Sequence, residues 1–128
     1  MLPLRYGRLW LAVGLLALVA GIAVALQRQS GLPLFVLSDK LYHAAAFAAF
    51  TVWFGGLVEL RHLSWVALGL LGYGALIEVA QSFVPYRQAD GFDLAADAAG
   101  ILLGCVLSAA GLRHWGRRVD AWLAGPHP

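Results

Sequence analysis

Four apolar segments, each close to the length of a membrane-spanning helix, divide the sequence. They cover residues 9–26, 41–60, 63–84 and 94–112, and a helix needs about 20 apolar residues to cross the hydrocarbon core of a bilayer. Only 12% of the residues are charged, whereas soluble domains contain about 25%. The segments predict an all-α, polytopic membrane protein. We expect residues 1–128 to form one domain, a four-transmembrane-helix bundle.

The first segment partly resembles a secretory signal peptide. Two arginines precede the apolar run, and residues 23–25 (Ala-Val-Ala) match the small-residue pattern of a cleavage site. The run is longer than the roughly 7 to 15 apolar residues typical of a signal peptide. We therefore expect an uncleaved first helix.

The basic residues predict the orientation of the bundle. With four spans, the N-terminus, the connection at residues 60–63 and the C-terminal tail share one side of the membrane. Basic residues concentrate on the cytoplasmic side of membrane proteins, so both termini are predicted to be cytoplasmic, with residues 113–128 as a tail. The residues are Arg5, Arg8, Arg61, Arg113, Arg117 and Arg118 on that side, against Arg28, Lys40 and Arg87 on the other.

Polar side chains gather at the opposite side, at the ends of the second, third and fourth segments. They form pairs spaced three or four residues apart, which places both members on the same helix face. Ionisable groups at membrane depth are costly and face the bundle interior or a cavity. We therefore expect an outward-facing polar pocket between these three helices. The pairs are Asp39 and His43, Glu78 and Gln81, and Asp93 and Asp97.

This predicted pocket carries more carboxylates than basic groups, and the excess needs a counter charge. Three sources are open: a protonated carboxylate, a protonated His43, or a bound cation such as a ligand ammonium or a divalent metal. The sequence contains no compact motif such as H-E-x-x-H, so we predict no metal and no other cofactor. The predicted ligand-binding residues are Asp39, Lys40, His43, Glu78, Gln81, Arg87, Asp93 and Asp97, of which His43, Glu78 and Arg87 are also candidates for catalysis.

Local signals define the start and the packing of the fourth helix. Pro85 disfavours helical backbone at the residue before it and so ends the third helix. Asp93 has two possible roles, as the N-cap of the fourth helix or as a residue of the pocket. Ala96, Gly100 and Gly104 recur at intervals of four, as in helix pairs that approach closely in membranes.

The order and spacing of these residues resemble the VanZ-like family. The matching elements are the run DKLYH at residues 39–43, the E-x-x-Q pair at residues 78–81 and the pattern R-x5-D-x3-D-x2-G at residues 87–100. The resemblance covers residues 36–108. It implies a small multispanning bacterial protein of a family named for a member associated with resistance to the lipoglycopeptide teicoplanin. The expected location is therefore the bacterial inner membrane.

The resemblance also implies that the matching polar residues form a functional signature. Tyr86 stands where the family often has glycine, and this difference affects the geometry of the loop. Asp97 stands where the family often has asparagine, so this chain has an additional carboxylate.

Three functions are open, and a fourth, proton-coupled transport, has little support because the four helices contain no detectable inverted repeat. We favour a pocket that binds an envelope lipid, a lipid-linked cell-wall component or a lipophilic glycopeptide, with Lys40 and Arg87 contacting phosphate or carboxylate. An intramembrane enzyme would use His43 or Glu78 as general base and Arg87 to stabilise negative charge. A structural or accessory protein would use the charges to join helices. The net charge of +2 gives no basis for a nucleic-acid partner, and the oligomeric state is not predicted.

Overall fold

The structure, a computed structural model, describes residues 1–27, 33–86 and 90–125. Within these ranges it is all-helical, which confirms the predicted all-α class. Short 3-10 turns at Leu60–His62 and Leu112–His114 precede the third and fifth helices. The helices are α1 (Gly7–Ala25), α2 (Pro33–Gly55), α3 (Leu63–Ser82), α4 (Gly91–Ala109) and α5 (Trp115–Ala124).

Three stretches of the described residues are long and apolar enough to cross a membrane: α1, the segment Leu60–Ser82 that contains α3, and α4. They correspond to three of the four predicted spans. The predicted second span, residues 41–60, is α2, which begins and ends earlier than expected. Pro33 explains the earlier start, because proline suits the first helical position, where an N–H has no intrahelical partner.

α2 and α4 share the most extensive helix contact in the bundle. Gly100 lies against the backbone carbonyl of Ala44, and Gly104 lies against Thr51 and the carbonyl of Ala48. A Cβ atom at either glycine would overlap atoms of α2, so the two backbones approach this closely only because glycine stands there. The predicted small-residue packing is confirmed at these two positions.

The buried core joins α2, α3 and α4, and partly buried side chains of α1 pack against it. The outer surface of the helices is also apolar: Leu16, Leu102 and Val106 are exposed. Large apolar side chains exposed along several helices suit lipid surroundings better than water. The core residues are Phe47, Leu70, Ile77 and Ile101.

The N-terminal segment, the α2–α3 connection and α5 meet at one end of the bundle. The carboxylate of Asp120 in α5 accepts hydrogen bonds from the backbone N–H of Arg5 (2.8 Å) and of Tyr6 (2.9 Å), just before α1 begins. The N–H of Leu2 donates to the carbonyl of Leu57 at 2.8 Å. The structure therefore confirms that these three segments share one end.

Three tryptophans pack together at this end. The ring centroids of Trp53 and Trp115 are 4.5 Å apart, and Trp10 meets them edge-on at 6.3 and 5.9 Å. The indole N–H of Trp115 donates to the carbonyl of Val52 at 3.0 Å. The tail predicted at residues 113–128 thus contains a helix, α5, which packs back onto the bundle. The sequence did not predict this helix, because its basic and apolar residues are mixed and form no apolar stretch long enough to cross a membrane.

Candidate functional site

At the opposite end, the structure brings the predicted polar side chains of three helices together. Lys40 and His43 join α2 to α4, and Glu78 joins α3 to the residue before α4. Arg87, which was predicted to belong to the same set, lies outside the described residues. We call the charged and histidine residues described at this end the polar cluster; they are Asp39, Lys40, His43, Glu78, Asp90, Asp93 and Asp97.

Lys40 connects α2 to the start of α4. Its Nζ donates to Oδ2 of Asp90 and to Oδ1 of Asp93, each at 2.8 Å. The side chain of Asp93 is buried, whereas that of Asp90 is partly exposed. Because the ammonium already has two carboxylate partners, contact with an anionic ligand would compete with these bonds.

Asp90, and not Asp93, caps α4. The helix begins at Gly91, and Oδ1 of Asp90 accepts the N–H of Phe92 at 2.9 Å. Of the two roles predicted for Asp93, that of N-cap is therefore wrong: Asp93 lies within the first turn, and its carboxylate turns inward to Lys40. The hydrogen bonds from Lys40 and from the Phe92 N–H hold the pKa of the Asp90 carboxyl below its ordinary value.

Asp90 is a site residue that the predicted ligand-binding set lacks. The available signal was an aspartate directly before Gly91, since aspartate is a preferred N-cap. The spacing argument did not find it, because Asp90 precedes the helix and has no partner three or four residues away on a shared helix face.

His43 and Asp97 form a buried pair between α2 and α4. His43 Nδ1 and Asp97 Oδ1 are 2.7 Å apart, and the two side chains are only 10% and 1% exposed. With the carboxylate ionised, Nδ1 carries the ring proton and donates it. Oδ2 of Asp97 has no hydrogen-bond partner among the described residues and lies beside Gly74 of α3, where a Cβ atom would be 2.7 Å away.

Glu78 and Gln81 of α3 have separate roles. Oε2 of Glu78 accepts the backbone N–H of Asp90 at 2.9 Å, which fixes the residue that caps α4. Gln81 is fully buried, and its Nε2 donates to the carbonyl of Ala25, the last residue of α1, at 2.9 Å. Gln81 therefore attaches α1 to α3.

Two tyrosines for which the sequence predicted no contact with α1 also hold this helix. The hydroxyl of Tyr73 donates to the carbonyl of Leu18 at 2.6 Å, and that of Tyr86 donates to the carbonyl of Leu26 at 3.1 Å. With Gln81 they fix the second half of α1 against α3 and the residues that follow it. Tyr73 lies within an apolar segment, where the sequence alone does not distinguish a tyrosine that makes such a hydrogen bond from one that only packs.

A cavity of about 510 Å³ lies between α1, α2 and α3. Asp39 and His43 line it where α1 ends, and Val24 and Tyr42, which also line it, are exposed, so the cavity reaches the outer surface of the bundle. This is the size of a small-molecule site. The cavity lies on the α1 side of α2, whereas the pocket was predicted between α2, α3 and α4. The deeper apolar wall includes Ala46, Phe47, Phe50 and Ile77.

Two residues that line the cavity, Asp39 and His43, also lie close to Asp93 of α4. One ring nitrogen of His43 and one carboxylate oxygen from each of Asp39 and Asp93 lie within 4.8 Å of one another. Among the described residues of the polar cluster, carboxylates outnumber the single lysine. These residues are Lys40 against Asp39, Glu78, Asp90, Asp93 and Asp97.

Comparison of the chain with protein-family models, with curated proteins and with solved structures gives no match. Membership of the VanZ-like family therefore stays a prediction from the sequence.

Proposed function

We propose that the chain is a four-span protein of the bacterial cytoplasmic membrane, with α1 to α4 as spans and both termini in the cytoplasm. Three apolar stretches and the packing of α2 against α4 support this arrangement. An even number of spans agrees with the meeting of the N-terminal segment and α5 at one end. The arginines concentrated near that end favour its cytoplasmic placement. The polar cluster then lies on the outer side.

The function we propose is the binding of an amphiphile that enters from the membrane: an envelope lipid, a lipid-linked cell-wall component or a lipophilic glycopeptide. The observation that carries this proposal is the cavity, whose apolar wall ends at Asp39 and His43. Apolar parts of such a ligand would pack against Phe47 and Phe50 through van der Waals contacts, which replace its contacts with lipid tails. Its polar group would lie beside His43.

The entrance of the cavity supports a ligand that arrives through the lipid phase. Val24 of α1 and Tyr42 of α2 are exposed on the outside of the helices, a surface that faces lipid in the proposed four-span arrangement. The resemblance to the VanZ-like family supports a lipophilic glycopeptide as one member of the ligand class. Arg87 remains the predicted contact for an anionic group.

A second candidate function is an intramembrane enzyme that acts on the same amphiphile. The His43–Asp97 pair favours it, because a carboxylate that orients an imidazole is the arrangement of a general base. Glu78 is the second candidate base, although its Oε2 already accepts the Asp90 N–H. Conversion of the bound amphiphile that stops in His43→Gln, with binding retained, would favour this enzyme.

The bridges of Lys40 support a third function, that of a structural or accessory membrane protein. Lys40 joins two carboxylates at the start of α4 and needs no ligand to satisfy its charge. This function accounts for the ion pairs but not for the cavity lined by Asp39 and His43.

Filling the cavity tests the proposed binding function. Ala46 lines the cavity and Ala45, the next residue on α2, does not; both are exposed. In protein transferred from membranes to lipid nanodiscs, we expect Ala46→Trp to lower the amount of the copurified amphiphile about tenfold, equivalent to ~1.4 kcal/mol. Mass spectrometry of the extracted lipids measures this.

Ala45→Trp is the matched control, because it adds the same side chain to the same helix outside the cavity. It should retain the amount found with the unmodified protein. Equal retention by the two variants, or a lipid composition identical to that of the bulk membrane, would contradict the proposed function.

A further inference from the structure

Three side chains with metal-ligating atoms converge beside the cavity, which two of them, Asp39 and His43, line. Asp39 and His43 stand four residues apart on α2 and so share one face of this helix. Asp93 reaches them from the first turn of α4. The three ligand atoms lie within 4.8 Å of one another, so small side-chain movements bring them to the shorter separations of a shared coordination sphere.

The ring of His43 is oriented as in metal sites. Metal-binding histidines almost always donate their second ring N–H to a carboxylate, carbonyl or water, which fixes the tautomer and the direction of the ring. Here Asp97 takes this place through Nδ1, at 2.7 Å, and the His43 side chain is nine-tenths buried.

The other ring nitrogen of His43 is the one left for a ligand. Nε2 lies on the side of the ring away from Nδ1 and so points away from Asp97. Among the described residues, Asp97 alone hydrogen-bonds this ring, and His43 is one of the residues that line the cavity. The ring is thus oriented by Asp97, and its second nitrogen has no hydrogen-bond partner among the described residues.

The charge of the surroundings also favours a cation. Lys40 is shared between Asp90 and Asp93, and on Asp93 it occupies Oδ1 only. The second oxygen of Asp93 and the carboxylate of Asp39 add negative charge beside His43. In an environment of low dielectric, such carboxylates are stabilised by a nearby positive charge far more strongly than they are in water.

We propose that Asp39, His43 and Asp93 bind one divalent first-row transition-metal ion, with Asp97 as the residue that positions His43. An imidazole nitrogen with two carboxylates suits Mn²⁺ or Zn²⁺ better than Mg²⁺ or Ca²⁺, which prefer oxygen ligands alone. Three protein ligands leave coordination positions for water or for an oxygen atom of a ligand in the cavity. The ion site goes beyond the proposed amphiphile binding and differs from the expectation of no metal drawn from the sequence.

Manganese binding by the purified protein tests this inference. The protein, carrying no histidine tag, is stripped with a chelator in detergent and titrated with Mn²⁺, while electron paramagnetic resonance measures the free ion. We expect one Mn²⁺ per chain, displaced by added Zn²⁺. Absence of bound Mn²⁺ and of bound Zn²⁺ in the unmodified protein would overturn the inference.

Variants locate the ion. Asp39→Asn, at a partly exposed residue, and His43→Gln should each weaken binding at least tenfold, whereas Glu59→Gln, at an exposed carboxylate near the other end of the bundle, should leave it unchanged. Asp97→Asn should retain one ion per chain at an affinity lowered about 10- to 100-fold. Equal affinity in Asp39→Asn and the unmodified protein would overturn the site. Because no lipid is involved, failure here leaves the Ala46→Trp result unaffected.

Discussion

At Asp120, one carboxylate receives N–H groups from three residues: the backbones of Arg5 and Tyr6 and, at 3.4 Å, the indole of Trp10. Burial opposes ionisation of this carboxyl, but the hydrogen bonds from Tyr6 and Arg5 outweigh it and hold its pKa below the ordinary value. Asp120 thus anchors the two residues that precede α1, although it belongs to another helix.

Asp120→Asn tests this contact at the scale of one residue. The amide still accepts one N–H, so we expect a loss of about 1–2 kcal/mol in the free energy of unfolding at pH 7. Because the pKa of Asp120 is lower in the folded state than in the unfolded state, its ionised form stabilises the fold. This stabilisation is complete above the unfolded-state pKa of about 3.9, and it is lost as the pH falls through the folded-state pKa. The difference from the unmodified protein should therefore shrink below about pH 4. Unfolding in detergent, followed by tryptophan fluorescence, measures it.

Glu59→Gln provides the control for the pH series. Glu59 pairs with Arg61 on the exposed α2–α3 connection, with Nε and Oε2 2.9 Å apart, and exposed pairs of this kind contribute little. A pH dependence shared equally by the two variants would show that Asp120 has no special role.

The sequence identified polar residues of the candidate site better than it identified their partners. The i,i+4 spacing correctly placed His43 and Asp97 on inward faces of two helices, because burying an ionisable group in lipid is costly whatever its partner is. It could not show that Lys40 binds Asp90, 50 residues away, because that contact depends on where α4 starts. Asp90 caps α4 because its backbone is extended and stands just before the helix, whereas Asp93 already lies in the first helical turn.

Among the elements, α2 and α4 define the bundle, and their contact depends on glycine. Gly100→Ala places a methyl group against the carbonyl of Ala44, and overpacking of this kind costs about 1–3 kcal/mol. Gly69→Ala on α3 is the matched control, since a Cβ there meets nothing within 4 Å among the described residues. We expect Gly69→Ala to be neutral or slightly stabilising through helix propensity.

Thermal unfolding of the two purified variants distinguishes these outcomes. Gly100→Ala should melt at a lower temperature than the unmodified protein, and Gly69→Ala should melt at the same or a higher temperature. Equal melting temperatures for the two variants would mean that a methyl group at residue 100 does not disturb the contact between α2 and α4. This result would contradict the close packing described above.

Apolar length was sufficient to predict α1, α3 and α4, because the requirement to cross a bilayer acts on composition over about 20 residues. It was less informative for α2, whose Asp39, Lys40 and His43 interrupt the apolar pattern although the helix continues through them. It missed α5, which has only 10 residues and mixes basic with apolar side chains. The position of the cavity was also out of reach, because it depends on how α1 is attached.

In the whole molecule, the polar cluster and the α5 end lie at opposite ends of the bundle, so their membrane sides must differ if the four-span proposal is right. In a Cys105→Ser background, we expect Phe92→Cys to react with an impermeant maleimide added to intact spheroplasts. Arg61→Cys should react only after permeabilisation. The side chain of Arg61 is 73% exposed and residue Phe92 is 72% exposed, so both positions are accessible.

Labelling of the Cys105→Ser protein without an added cysteine gives the background signal for both positions. The reverse pattern would place the polar cluster in the cytoplasm and would exclude ligands confined to the outer leaflet. Labelling of both positions in intact cells would exclude an arrangement in which the two ends of the bundle lie on different sides.

The hydrogen bonds between Asp120 and the start of α1 join residues that are 115 positions apart. A ribosome makes α1 first and α5 much later, so in the proposed four-span arrangement α1 enters the membrane before α2, α3 and α4 have been synthesised. During this interval the amides of Arg5 and Tyr6 depend on water or lipid headgroups for hydrogen bonds. The Asp120 contacts that close this end of the bundle can form only after the chain has been made through α5, which makes their formation a late step of biogenesis.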